Sequence, residues 1–194
     1  RFVQEAIAFL YEDRGDAWID EDVPLQVPPI GGSQLAAEAE TRRFTEAGGV
    51  GVVLRFGQFY APDASHTIAM AKMARRRLAP AVGDPDGYVT TIHADDAASA
   101  VVAALEAPAG VYNVTDDDPV TRQVFGEVVA AALDKKSPRK IPMAVAKAGG
   151  SKSEYLMRSL RVSNRRFKDA TGWSPAYPSV REGWPVVAAA MKEA

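Results

Sequence analysis

VGVVLRFGQFY, residues Val50 to Tyr60, opens with a continuous apolar run that does not alternate. A strand open to water on one face alternates, and one covered on both faces does not. The run therefore reads as a buried strand of a parallel sheet, closed by Ala61-Pro62. Before it, Ser33 to Ala47 has helical composition, and Gly48-Gly49 supplies the stop. Arg1 to Tyr11 (RFVQEAIAFLY) reads as a further apolar strand, followed by an acidic, Gly- and Pro-punctuated loop. Strand, helix, strand in this order predicts an α/β layer.

Downstream, the pattern predicts a helix over His66 to Leu78 with a basic tail at Arg75-Arg76-Arg77. A turn at GDPDG (Gly83 to Gly87) precedes a short strand at YVTTIHA. Asp96 to Ala107 is a helix, with Asp96 read as its N-terminal cap, and GVYNV is a short strand. Thr121 caps a helix whose apolar residues Val124, Phe125, Val128, Val129 and Ala132 share one face. RKIPMAVAKAGG reads as extended, Val162 to Thr171 as a helix ending at Gly172, and the last residues as a helix that Pro185 kinks or restarts.

The bulk properties exclude several classes of function. The 194 residues carry 47% hydrophobic and 25% charged residues, an ordinary globular composition. A net charge of −2 does not point to nucleic acid or an anionic membrane. The absence of cysteine excludes a disulfide framework, a thiolate metal site and a cysteine nucleophile, and is consistent with a reducing cytoplasm. No apolar stretch approaches the roughly 20 residues that span a bilayer. His66 and His93 stand apart without the carboxylate spacing of a metal site. Asp116-Asp117-Asp118 reads as a solvated turn, because it lacks a calcium-loop spacing. Trp173 and Trp184 read as packing residues.

In open α/β sheets, ligands gather beyond the carboxyl ends of the strands. Arg55, Gly57, Gln58 and Tyr60 emerge from such an end. A glycine at position 57 opens the backbone to a ligand, or else marks a bulge. Arg75 to Arg77 are a solvated helix end or, alternatively, a diphosphate clamp.

These segments resemble, in order, those of the extended short-chain dehydrogenase/reductases, the NAD-dependent epimerase/dehydratase family. VVLRFGQFYAP is similar to that family's strand-end motif, and YVTTIHADDAASAVVAALE to its second signature. GVYNVTDDDPVT and ATGWSPAYPSVREG are similar to the segments that follow. RFVQEAIAFLY sits where the family has a Ser-bearing strand ending in Val-Tyr. The resemblance implies an NAD(P)-binding Rossmann-like fold, a parallel sheet with a small α+β substrate-binding domain. It implies residues 1–62 as the C-terminal part of the Rossmann-like domain and 63–194 as mainly the substrate domain, with interleaved segments. No Gly-x-x-Gly-x-x-Gly turn is present. The resemblance therefore implies about 100 further residues upstream, holding the nucleotide-binding half.

The family places a Tyr-x-x-Ser-Lys motif, with a Glu four residues after the Lys, in the stretch PPIGGSQLAAEAE (Pro28 to Glu40). Tyr and Lys stand one helical turn apart, and Lys⁺ favours phenolate. Aligned on Ser33 and Glu38, the Tyr position holds Ile30 and the Lys position Gln34, and the strand Ser falls on Ala6 or Ile7. Ile cannot exchange a proton, and Gln can only hydrogen-bond. Tyr11 lies close by in sequence but matches a turn position rather than the proton donor.

By the same resemblance, Gln34, Phe56 and Gly57 lie beside NAD or NADP, while Gln58, Arg75 and His93 face the substrate. That substrate is a small molecule of the nucleotide-sugar type, and the protein a cytoplasmic homodimer. The alternative is a non-catalytic nucleotide sensor or scaffold.

Overall fold

The computed structural model describes residues 1–28, 31–139 and 155–193. Three parallel strands form the main sheet in the order β1 (Phe2–Ile7), β3 (Gly51–Phe56) and β6 (Gly110–Val114). All six residues of β3 are buried, as its unbroken apolar run requires. Helix α1 (Gly32–Glu46) packs against β1 and β3. Helix α3 (Ala94–Ala104) packs against β3, and α5 (Arg165–Thr171) covers β6.

The predicted strand over Val50 to Tyr60 is two strands in two sheets. β3 ends at Phe56, and β4 (Gln58–Tyr60) pairs instead with β5 (Thr91–His93) in parallel register. Gly57 is the hinge, and a Cβ there would stand 2.9 Å from the Thr91 carbonyl carbon and oxygen. The glycine is thus required by the close approach of β5.

Three further boundaries differ from the sequence reading. The strand from Arg1 ends at Ile7, and a 3₁₀ turn over Ala8–Leu10 carries the chain to the buried Tyr11. Arg161–Val162 is not helical but forms strand β7, paired with β2 (Trp18–Ile19) from the acidic loop, and α5 begins only at Arg165. The final helix α6 (Val180–Glu193) runs through Pro185. The RKIPMAVAKAGG expectation falls, after Arg139, on residues outside the described ones.

Two apolar clusters follow from this division. One joins Val52, Leu54, Phe56, Tyr112, Val114 and Phe167 beneath the main sheet. The other joins α2 (Ser65–Arg75), α4 (Arg122–Ala132) and α6 through Ala71, Phe125, Val129, Trp184 and Val187. Trp173 and Trp184 are both buried, as expected of packing residues. β6 and α3 lie beyond residue 62 and yet belong to the main-sheet layer.

A buried polar chain ties the layers together. Arg55 on β3 donates from Nε to Glu38 Oε1 at 2.9 Å and from Nη2 to Oε2 at 2.7 Å. Its Nη1 donates to the Tyr11 hydroxyl at 2.9 Å, and that hydroxyl donates to Asn113 Oδ1 at 2.8 Å. Removing one member of a buried ion pair leaves an uncompensated charge and costs about 3–5 kcal/mol. Arg55→Met should therefore lower stability by about that much in urea unfolding. The double change Arg55→Met with Glu38→Leu should recover a large part of it. Gly57→Ala should destabilise by about 1–3 kcal/mol through crowding against Thr91.

Candidate functional site

The Glu38–Arg55 pair fixes which face of α1 meets the sheet. Gln34 lies one helical turn before Glu38 and is half-buried on the same side of the helix. Ile30, the residue in the expected Tyr position, lies outside the described residues. Phe56 is buried and packs on the Phe59 ring at 5.2 Å between centroids. Gly57 is held against Thr91 as described above. Tyr11 is fully buried, and burial pushes its hydroxyl up to about 12 against the pull of Arg55. It stays a neutral phenol, donating to Asn113 and accepting from Arg55, which is a bracing role.

Beyond the carboxyl ends of β1 and β3 lies a cavity of about 160 Å³. Phe9 from the 3₁₀ turn, Gln58 from β4, Met70 from α2 and Val89 line it, with Arg122 at the start of α4 and Arg158. Of the three residues expected to face substrate, Gln58 is in this wall, while Arg75 and His93 are not. Arg75 is exposed at the end of α2, beside the equally exposed Arg76 and Arg77. His93 is buried between the Tyr60 and Tyr177 rings, at 5.2 and 4.4 Å between centroids. It is the N-cap of α3, its Nδ1 accepting from the Asp95 N–H at 3.2 Å.

That cap displaces the one expected from Asp96. The Asp96 carboxylate instead accepts from the Ala176 and Tyr177 N–H groups at 2.7 and 3.0 Å, drawing the segment before α6 onto α3. The solvated turn expected at Asp116 to Asp118 holds for the exposed Asp118 but not for the buried Asp116. Asp117 pairs with Lys168 and accepts from Asn164 Nδ2, and Asp118 pairs with Arg181. Asp116 is buried and accepts from the Thr91 hydroxyl at 2.7 Å. His66 is exposed, with Nε2 at 2.5 Å from the Phe59 carbonyl oxygen. No group of three or more metal-ligating side chains occurs among the described residues.

The position of this cavity invites comparison with proteins that bind ligands beyond parallel strand ends. No protein-family profile matches the chain. A curated relative, a 3-diazoavenalumate denitrifying reductase from a Streptomyces species, is 33% identical over 94% of this chain and 63% of the relative. The chain thus spans less than two thirds of that relative's length. A human epimerase family protein crystallised with NADPH superposes with a TM-score of 0.82 at 24% identity, over 96% of this chain and 64% of that one. UDP-glucose 4-epimerase from Thermus thermophilus, in complex with NAD, superposes with a TM-score of 0.74 at 22% identity, over 99% and 64%.

The chain has the Rossmann-like fold of the NAD(P)-dependent epimerase/dehydratase proteins. Against the motif of that family, the Arg of the strand end and the Glu of the helix are both present, and here they pair with each other. No Tyr or Lys occurs between Pro28 and Glu40, the stretch matched to the family's Tyr-x-x-Ser-Lys motif. The main cavity residues that sequence reading passed over are Phe9, Met70, Arg122 and Arg158. A signal for Arg122 existed. It precedes Phe125, Gly126 and Val129 at the spacing of one helix face, so a charge sits on an apolar stripe.

Burial raises the Asp116 carboxyl to about 7, with Asp96, Asp117 and Glu182 adding to the rise and the Thr91 hydroxyl opposing it. The Tyr60 hydroxyl feels the same cluster. A carboxyl raised on folding contributes stability that is complete below its ordinary value of 3.8 and is lost as pH rises through about 7. Melting curves between pH 4 and 8 should therefore show Asp116→Asn gaining on the parent protein as pH rises. Parallel pH profiles for the two proteins would count against this assignment.

Proposed function

We propose that this chain is the substrate-side portion of an NAD(P)-dependent reductase that transfers hydride without the Tyr–Lys proton relay of its family. The observation that carries the reading is the retained Glu38–Arg55 clamp beside an altered turn. The clamp holds α1 in place, and Gln34 occupies the position where the family has Lys. Residues 1–62 then form the C-terminal part of the Rossmann-like domain, and 63–194 mainly the substrate domain. The reading requires a pyrophosphate-binding turn outside these 194 residues.

NAD(P)H, when bound, supplies the hydride. On this reading Gln34 donates its amide N–H to a ribose hydroxyl, a role that needs no charge. Phe56 and Gly57 border the nicotinamide half, and Gln58 orients the substrate. Arg75 and His93 act outside the immediate substrate contact, Arg75 as surface charge and His93 as the cap that positions α3.

Such a site suits an acceptor that is already electrophilic. A diazonium group is one: a hydride supplied by bound NAD(P)H would form the new C–H bond with its own electron pair, the C–N bond would break with its pair leaving on dinitrogen, and no proton from the protein would be required. The reductase relative, named for a diazo compound and for denitrification, supports this class. The nucleotide-sugar class is supported by solved neighbours such as a UDP-glucuronic acid 4-epimerase from Bacillus cereus in complex with UDP-glucuronic acid and NAD. The missing Tyr and Lys favour a second reading, a nucleotide-sensing scaffold that performs no chemistry. In either reading the protein works in the cytoplasm as a homodimer; among the described residues no helix is long and apolar enough to cross a membrane.

Fluorescence titration of the full-length protein with NADH and NADPH tests the reading. Saturable binding is expected, and Gln34→Leu should weaken it by about 1 kcal/mol, roughly fivefold, for one lost hydrogen bond. A folded protein that binds neither nucleotide would overturn the reductase.

A further inference from the structure

Arg122 is the first residue of α4, directly after the cap Thr121, and only 5% of it is exposed. Its guanidinium donates to three backbone carbonyls, those of Asp84, Leu156 and Arg158, at 3.5, 3.1 and 2.6 Å. No carboxylate among the described residues pairs with it. The nearby acids Asp13 and Asp84 accept from the backbone N–H groups of Ser159 and Asp86 at 2.9 and 3.1 Å. Arg122 Nε is buried and has no hydrogen-bond partner among the described residues.

Among the described residues this buried charge is bonded to carbonyls alone, with Asp13 and Asp84 attracting it without an ion pair, and an incoming anion in contact would relieve the remaining cost. Burial already holds this guanidinium below its ordinary value. The chain makes room for the group. A Cβ on Gly83 would stand 2.9 Å from Nε, and one on Gly87 would collide with Nη1.

Arg122 is also a wall residue of the 160 Å³ cavity beyond β1 and β3, together with Gln58. The remaining wall is largely apolar, with Phe9, Met70, Val89 and Leu160. We infer that this cavity is a binding site for a small carboxylic acid, with Arg122 taking the carboxylate, Gln58 donating to it, and the apolar wall taking an aryl or alkyl body. A diphosphate fits the lining less well, because its many oxygens would meet apolar side chains. The volume is below the roughly 300–1,000 Å³ of a pocket for a whole drug-sized ligand, so it suits one compact group. This inference deepens the proposed reductase by naming the anionic end of its substrate.

The test uses the full-length protein and 3-phenylpropionate, with 3-phenylpropanamide as the uncharged counterpart, followed by calorimetry. The acid is expected to bind at least tenfold more tightly than the amide, and Arg122→Lys to weaken the acid at least tenfold. Because Arg122 also holds backbone, Val82→Trp serves as a second variant. Val82 lines the cavity and is 49% exposed, so the change should leave the fold intact while blocking the space. Equal binding of acid and amide, no binding of either, or unchanged acid binding in Val82→Trp would overturn the inference. So would inorganic phosphate competing as well as the acid does. The NAD(P)H titration is read separately. Acid binding without nucleotide binding would sink the reductase and leave the carboxylate site standing, and the reverse result would do the opposite.

Discussion

The buried chain from Glu38 through Arg55 and Tyr11 to Asn113 is the constraint on which the arrangement depends. It joins α1, β3, the turn after β1, and β6, elements that lie far apart in sequence. Apolar packing alone would leave α1 free to slide or rotate on the sheet. A bidentate ion pair between side chains 7% and 6% exposed does not permit that, because any shift strands a charge in a dry interior. Further links extend the chain to the acidic loop and α5. The Asn113 N–H donates to Glu21 at 2.8 Å, and Glu21 pairs with Arg166 at 3.3 Å. Polar groups thus set the register of layers whose stability comes from Val52, Leu54 and Phe56.

On the proposed reading, the same chain lets the frame stand while the turn ahead of Glu38 lacks Tyr and Lys. The frame residues face inward and touch one another, so each is constrained by the others. Gln34 is half-buried on the Glu38 side of α1 but takes no part in the ion pair. Substituting Lys by Gln at that position leaves Glu38 and Arg55 satisfied, since they already complete each other's hydrogen bonds. The proposed absence of the relay is therefore compatible on physical grounds with retention of the fold. A chemistry that needs hydride but no proton would be under no pressure to restore the Tyr.

Much of the architecture was legible in the sequence because it rests on local pattern. The unbroken apolar run of β3, the Thr121 cap, and the stop at Gly172, which takes φ 70°, are each encoded within a few residues. What was illegible rests on contacts across the chain. β4 continues the apolar pattern of β3, and nothing local in Phe56-Gly57-Gln58 reveals that Thr91 passes against the glycine. Arg161-Val162 follows no strand signal of its own and becomes β7 only because Trp18-Ile19 offers an edge. Asp96 looks like a cap from its position and is taken instead by two amides some eighty residues away.

The candidate site shows the same limit from the side of function. Gln58 is conspicuous as a polar residue at a parallel strand end, and it lines the cavity. His93 was conspicuous too, yet it is spent on a helix cap and on ring contacts with Tyr60 and Tyr177. Arg122 carries the reverse case. In sequence its place on the stripe of Phe125 and Val129 is visible, but not where that stripe points. Only the fold shows that the helix face it shares with Phe125 and Val129 points inward, and that Gly83 and Gly87 leave it space. A charge placed on the apolar stripe of a helix is inexpensive if it can snorkel to water and demanding if it cannot. Arg122 is 5% exposed and bonded to three backbone carbonyls, and its place on the wall of a cavity is what the proposed carboxylate site rests on.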